Sequence, residues 1–161
     1  MRTKRVTFIT QAAMIAAIYV VLTIFVSAFN LASGAIQVRI SEALTVLPAF
    51  TPAAIPGLFI GCFISNLVSG CLPLDILFGS LATLLGACGT YLLRKWKWAV
   101  PIPPILANVL IVPFVLAYVY HIPGGVTYFM VTVGIGEIIS CGVLGIIVYN
   151  ILARYRNVIF K

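Results

Sequence analysis

The sequence YLLRKWKW, residues 91–98, interrupts a nearly unbroken apolar chain with Arg94, Lys95 and Lys97. Two further basic clusters lie near the chain ends: Arg2, Lys4 and Arg5, and Arg154, Arg156 and Lys161. Short loops rich in Lys and Arg remain on the cytoplasmic side of a membrane. We therefore expect an even number of membrane crossings between each cluster and the next.

The lengths of the apolar stretches set the number of crossings. A helical crossing takes about 17 to 25 residues, so residues 6–93 have room for four and residues 98–153 for two. The sequence predicts an all-α protein of the cell membrane, a six-helix transmembrane bundle with both termini cytoplasmic and a single domain over residues 1–161. The predicted helices cover residues 6–29, 36–50, 53–69, 74–93, 101–120 and 126–153.

The composition supports a membrane protein and argues against several other classes. Hydrophobic residues make up 63% of the chain and charged residues 8%, and the mean hydropathy is +1.20, values unsuited to a soluble domain. The cations lie in loops beside the membrane, where anionic lipids explain them, so nucleic-acid binding is not expected. The sequence has no GxxxxGKS, GxxxxGKT or HExxH motif, so we expect neither an enzyme nor ATP hydrolysis by this chain alone.

Four charged residues interrupt the apolar segments: Arg39, Glu42, Asp75 and Glu137. A charge at bilayer depth costs about 2.5 to 3.5 kcal/mol unless it is paired or wetted. With the amino terminus inside, the first three enter from the outer face, and Glu137 lies about 15 Å down, near the midplane. One arginine cannot neutralise three carboxylates, so a cation or a proton is missing from this set.

Two of these charges have a purely structural alternative. Arg39 and Glu42 are spaced i, i+3 and could form a local ion pair on one helix face. Asp75 follows Pro73 and could cap the free amides of a helix start. Neither explanation is open to Glu137.

Two amides, Asn66 and Asn108, are also expected to face the bundle interior. Each could make an interhelical hydrogen bond or contact a substrate. Together with the carboxylates they predict an outward-opening cavity that suits a small cation rich in hydrogen-bond donors.

Metal and cofactor sites are not expected. The four cysteines show no CxxC pairing and are interpreted as small apolar core residues: Cys62, Cys71, Cys88 and Cys141. The single histidine, His121, has no Cys, Asp or Glu at ligand spacing.

The first helix carries small residues in two overlapping AxxxA steps on adjoining faces: Ala12, Ala13, Ala16 and Ala17. Small residues four apart let two helices approach closely. The pattern alone predicts either packing within the bundle or a docking surface for a partner.

Four stretches together resemble the queuosine-precursor (QueT) branch of the S components of energy-coupling factor (ECF) transporters. They are GAIQVRISEALTVLPAF (residues 34–50), AIPGLFIGCFISNLVSG (54–70), DILFGSLATLLGACGTYLLRK (75–95) and VGIGEIISCGVLG (133–145). The resemblance implies a six-helix substrate-binding subunit that works with a transmembrane coupling subunit and two ATPases. It also favours the alanine pattern as the surface that docks on the coupling subunit.

The resemblance implies a 7-deazaguanine cargo, such as 7-aminomethyl-7-deazaguanine (preQ1) or queuine. One carboxylate could accept two parallel hydrogen bonds from the guanine edge while another pairs with the cationic amine. We expect Glu137 at the guanine edge and Glu42 or Asp75 near the amine. A stacking partner is expected among four aromatic residues: Phe59, Phe63, Phe78 and Tyr128.

Two other classes would also use buried acids. A proton-coupled carrier for a small cationic solute would need them, although such carriers often show inverted repeats and the two unequal halves here show no convincing symmetry. An intramembrane enzyme would use Asp75 and Glu137 as a catalytic pair.

Overall fold

The computed structural model describes residues 2–28 and 38–159. In this part of the chain there are six α-helices, a 3₁₀ helix and a π-helical segment, and no strand. The α-helices are α1 (Arg2–Ala28), α2 (Ala54–Val68), α3 (Pro73–Leu92), α4 (Ile102–Tyr118), α5 (Val126–Glu137) and α6 (Gly145–Ile159). The 3₁₀ helix spans Ile40–Ala49, and the π segment Ile138–Leu144 joins α5 to α6 without a break. The predicted all-helical fold is confirmed for these residues.

Within the described residues, three helices are long and apolar enough to cross a membrane: Lys4–Ala28, Pro73–Leu92 and Val126–Arg156. They correspond to the first, fourth and sixth predicted helices. The other three helices, α2, α4 and the 3₁₀ helix, are apolar but shorter. Six crossings and cytoplasmic termini therefore stay a prediction.

The second predicted helix differs most from expectation. An α-helix over residues 36–50 was expected, but the described part of it is a 3₁₀ helix over Ile40–Ala49, and residues 36 and 37 lie outside the described chain. At about 2.0 Å per residue, ten residues of 3₁₀ helix rise about 20 Å, which is less than the thickness of a hydrocarbon core. Pro48 lies inside this helix and has no amide to donate.

The 3₁₀ helix lies in the middle of the bundle. It packs against α1, α2, α3, α6 and the π segment, and seven of its ten residues are buried. Glu42 is in its first turn. The acidic side chain is thus carried into the centre of the protein rather than onto a helix face at its edge.

Helices α1 and α2 approach until their backbones touch. A Cβ atom added at Gly57 would lie 2.7 Å from the carbonyl oxygen of Ala12, and one added at Gly61 would lie 3.0 Å from that of Ala16. Only glycine leaves room for this contact. The Ala12 and Ala16 step is therefore a packing contact within the bundle.

The second alanine step has a different environment. Ala13 and Ala17 are both exposed. The packing interpretation thus holds for Ala12 and Ala16, and docking of a partner on the alanine pattern stays a prediction.

Candidate functional site

A cavity of about 230 Å³ opens at one end of the bundle, between the end of α1, the start of the 3₁₀ helix, α2, the start of α3 and the end of α4. We call it the polar pocket. Its polar lining includes three predicted site residues and three others: Arg39, Asn66 and Asp75, with Thr23, Ser27 and Tyr120.

Asp75 is held by a tyrosine and does not cap its helix. It lies in the first turn of α3, whose cap residue is Leu72, and no side chain makes a cap hydrogen bond there. The hydroxyl of Tyr120 donates to Asp75 Oδ2 at 2.8 Å and accepts from the Leu72 amide at 3.3 Å. Burial, together with the hydrogen bond to Asp75, raises the pKa of Tyr120, which keeps its hydroxyl a donor. The cap interpretation of Asp75 was wrong.

Asn66 lies beside Asp75 in the polar pocket. A Cβ atom added at Gly79 would be 3.1 Å from Asn66 Nδ2 and 3.6 Å from Asp75 Oδ1. Asn66 is 3% exposed, and its Nδ2 donates to Cys62 Sγ at 3.6 Å. A glycine on α3 thus makes the room in which an amide and a carboxylate meet.

Arg39 does not form the local ion pair with Glu42 that its spacing allowed. It precedes the 3₁₀ helix in an extended conformation, its backbone amide donates to Ser140 Oγ at 3.1 Å, and its side chain lines the polar pocket. Among the side chains that the structure describes, no cationic group lies within 4.0 Å of a carboxylate oxygen of Glu42. An i, i+3 ion pair needs both residues in one α-helix, and Arg39 lies outside any helix.

The two most buried acids form a carboxylate pair, Glu42 and Glu137. They are 1% and 7% exposed, and one oxygen of each, together with Cys141 Sγ, lies within 4.8 Å of the others. The hydroxyl of Tyr19 donates to Glu42 Oε1, and Cys141 Sγ donates to Glu137 Oε2 at 3.1 Å. Glu42 Oε2 is buried and has no hydrogen-bond partner in the described chain.

Asn108 joins the carboxylate pair from α4. It is 5% exposed, and its amide lies beside both carboxyl groups. The pair is therefore surrounded by groups from α1, the 3₁₀ helix, α4, α5 and the π segment. Side chains separated by more than a hundred residues meet at this point.

The six predicted site residues thus fall into two groups. Arg39, Asn66 and Asp75 line the polar pocket. Glu42, Asn108 and Glu137 are buried and lie close to one another outside the lining of that pocket. The predicted stacking aromatics join neither the pocket lining nor the carboxylate pair. Three of them are exposed and one is half-buried: Phe63, Phe78 and Tyr128, and Phe59.

Three residues that donate hydrogen bonds to the buried acids were not predicted from the sequence as members of the site: Tyr19, Tyr120 and Cys141. A buried tyrosine needs a partner for its hydroxyl, so Tyr19 within the apolar first helix was a usable signal. Cys141 was taken as a core residue, yet with Glu42 and Glu137 it forms a group whose ligand atoms are close enough to hold a metal ion. No metal was expected, because only the spacing of cysteines and His121 was considered.

The polar pocket and the basic clusters lie at opposite ends of the helices. Thr23 lines the pocket, and Lys4 lies 19 residues earlier on α1, about 29 Å away along the axis. On α3, Asp75 is in the first turn and Arg94 follows the end of the helix. This separation is close to the thickness of a hydrocarbon core.

Comparison with known proteins gives a family match and a curated relative. The model of the QueT transporter family matches residues 9–154. The queuosine precursor transporter QueT of Lactococcus lactis subsp. cremoris (strain MG1363) is 36% identical over 90 residues, which cover 55% of this chain and 53% of that protein. The match thus spans about half the length of the relative. No solved structure matches the chain.

Proposed function

Because the chain belongs to the QueT transporter family, we propose that it is the substrate-binding S component of an ECF importer. In this proposal it captures a queuosine precursor, a 7-deazaguanine such as preQ1 or queuine, at the outer face of the membrane. Uptake is then driven by ATP hydrolysis in partner subunits. The name of the Lactococcus relative, a queuosine precursor transporter, supports the substrate class.

The observation that carries the proposal is a group of buried acids that have no cationic side chain within 4.0 Å among the described residues. Glu42 and Glu137 are buried with oxygen atoms within 4.8 Å of each other. Asp75 lines the polar pocket, where the hydroxyl of a neutral tyrosine donates to it. Burying carboxylates is costly unless a positive charge or hydrogen-bond donors compensate them. A deazaguanine with an aminomethyl group supplies both kinds of group, because its edge donates hydrogen bonds and its amine is a cation.

The position of the polar pocket supports binding from outside. The pocket is at the end of the helices remote from the three basic clusters, and such clusters remain in the cytoplasm. A pocket at the other end then opens to the exterior, and both termini lie inside. This orientation is the one that an importer needs for capture.

The exposed alanine step supports a protein partner. Ala13 and Ala17 give α1 a flat outer surface, and small residues allow another helix to pack closely in the membrane. We propose that the coupling subunit docks on this surface and that two ATPase subunits supply the energy. The lack of a phosphate-binding motif in the sequence agrees with this division of labour.

A proton-coupled carrier for a small cationic solute is the second candidate, because buried acids also serve as proton sites. The two candidates differ in their energy source. In cells that keep their ATP, an uncoupler should leave uptake by an ECF importer intact, whereas uptake by a proton-driven carrier should stop at once.

Calorimetry on the protein purified in detergent tests the substrate class. We expect tight binding of preQ1 or queuine, much weaker binding of guanine, and none of thiamine. Glu137→Gln should weaken deazaguanine binding at least tenfold, because it removes a charge from the buried pair. Thr132→Val, on the same helix and similarly buried, is the control and should bind like the parent protein. No binding of any deazaguanine would disprove the proposed substrate.

A further inference from the structure

The carboxylate pair has more negative charge than its surroundings can balance. Glu42 and Glu137 have oxygen atoms within 4.8 Å of each other, and both side chains are at least nine-tenths buried. Two carboxylates this close and this dry cannot both be ionised without a compensating cation. In the described chain, no Lys, Arg or His side chain lies within 4.0 Å of either of them.

The neighbouring elements present mostly neutral donors to this pair. Helix α1 contributes the hydroxyl of Tyr19, the π segment the thiol of Cys141, and α4 the amide of Asn108. Cys62 of α2 is a neutral buried thiol near Glu42 and Tyr19. None of these groups supplies a positive charge.

One cation acts on the pair from a distance. Arg39 lies in the polar pocket, where its charge is shared among Glu42, Glu137 and Asp75 of α3. Three ionised carboxylates against one guanidinium would leave two negative charges in excess. A single proton on the pair reduces the excess to one.

The partnerless oxygen marks where a cation would enter. Glu42 Oε1 is occupied by Tyr19, whereas Glu42 Oε2 is buried without a hydrogen-bond partner among the described residues. Buried polar atoms in folded proteins nearly always have a partner. An ammonium group offers three donors and one positive charge, which fits one open carboxylate oxygen beside a second carboxylate.

We infer that the space between Glu42 and Glu137 is an ammonium subsite that holds one proton when it is empty. Entry of a substrate amine as R–NH₃⁺ displaces this proton to solvent, so the net charge of the site is the same before and after binding. No bond other than the O–H bond of one carboxylic acid is broken. This inference rests on the proposed function and assigns the amine to Glu42 and Glu137 together.

The assignment changes the expected orientation of the substrate. Glu137 was expected to read the guanine edge, but a neutral edge leaves the proton on the pair and supplies no positive charge, whereas the amine supplies one. Ser41, the residue before Glu42, lines the polar pocket, so a substrate with its amine at the pair would extend its heterocycle into that pocket. There Asn66 and Asp75 offer acceptors to its N1 and exocyclic amino groups.

The exchange makes binding depend on pH with a definite sign. The empty site binds one proton more than the occupied site, so raising the pH favours the complex. Where the empty pair keeps its proton, one released proton corresponds to about a tenfold gain in affinity per pH unit. A neutral ligand releases no proton and shows no such gain.

Calorimetry of the whole protein in buffers of different ionisation enthalpy measures this proton directly. We compare 7-aminomethyl-7-deazaguanine with 7-methyl-7-deazaguanine, which has the same guanine edge but no amine. The expected result at about pH 6 to 6.5 is close to one proton released per bound amine and none for the methyl compound. Tight binding of the amine without proton release would overturn the exchange.

Two variants separate the subsite from the pocket. In Glu137→Gln the preference for the amine over the methyl compound should fall at least tenfold and proton release should disappear. In Asp75→Asn both ligands should bind more weakly, with the preference and the proton release unchanged. If Asp75→Asn abolished the amine preference and the proton release while Glu137→Gln kept both, the assignment of the amine to the carboxylate pair would be overturned. The comparison of the two ligands on the parent protein needs no variant and stands even if Glu137→Gln does not fold.

Failure of the proposed function gives a different result. If no deazaguanine binds, the proposed substrate is wrong, and the ammonium subsite fails as well unless methylamine or butylamine binds with proton release. If Zn²⁺ binds with a signal that requires Cys141, lost in Cys141→Ser but not in Cys62→Ser, the pair is a metal site and the ammonium assignment is overturned.

Discussion

The hydroxyl of Tyr19 on α1 donates a hydrogen bond to Oε1 of Glu42 on the 3₁₀ helix, and both side chains are 1% exposed. The contact joins α1, which has Ala13 and Ala17 on its exposed surface, to the 3₁₀ helix. Through it, the position of α1 and the environment of Glu42 depend on each other.

Replacement of Tyr19 by phenylalanine should destabilise the protein and weaken substrate binding. The variant removes the donor to Oε1 of a buried carboxyl group, which costs about 1 to 3 kcal/mol. Thermal unfolding in detergent measures the loss. Tyr155→Phe, whose side chain is half exposed near the end of α6, should unfold like the parent protein. Equal stability of the two variants would show that the Tyr19 contact contributes nothing.

The neighbouring alanines of α1 should respond in opposite ways to enlargement. Ala16→Leu forces a larger side chain against Gly61, where the Cα of Ala16 is already within 3.1 Å of an added Cβ atom, and overpacking of this kind costs about 1 to 3 kcal/mol. Ala17→Leu adds a side chain on the exposed face and should leave the melting temperature unchanged. A melting temperature lowered by Ala17→Leu and not by Ala16→Leu would contradict the packing of α1 on α2.

Docking of the coupling subunit should depend on the two exposed alanines of α1, Ala13 and Ala17. The double variant Ala13→Leu, Ala17→Leu should bind substrate normally, because neither residue lies near the polar pocket or the carboxylate pair. It should lose copurification with the coupling subunit, since two leucines prevent the close helix contact. Leu substitution at two exposed positions elsewhere, Val131 and Ile135 of α5, is the control. An intact complex with the double alanine variant would place the docking surface elsewhere.

The order of the helices was predictable from the sequence, and the type of the second helix was not. The apolar stretches and basic clusters gave helix positions that agree within a few residues for α2, α3 and α4. Hydropathy does not distinguish a 3₁₀ helix from an α-helix, because both are apolar throughout when they are buried. The depth and partners assigned to Glu42 depended on that distinction.

The members of the site were predictable from the cost of burying charge, but their grouping was not. Each acid and amide stood out in apolar sequence. The meeting of Glu42 with Glu137 comes from the packing of the 3₁₀ helix on the π segment, where Thr45 Oγ1 lies 3.4 Å from Cys141 Sγ. No local pattern encodes a contact between residues so far apart in the chain. For the same reason, the tyrosines that hold the acids were missed.

Tyr120 should position Asp75 for the substrate. Its hydroxyl lies 2.8 Å from Asp75 Oδ2, so Tyr120→Phe frees the carboxylate to rotate and should weaken deazaguanine binding by about threefold to tenfold, the usual effect of one hydrogen bond. Asp75→Asn should weaken binding more, since a charged acceptor is lost. In the double variant the tyrosine change should have no further effect, because its partner is already altered. Tyr118→Phe, with a side chain that is 67% exposed, serves as control. Additive losses in the double variant would mean that Tyr120 acts on the substrate independently of Asp75.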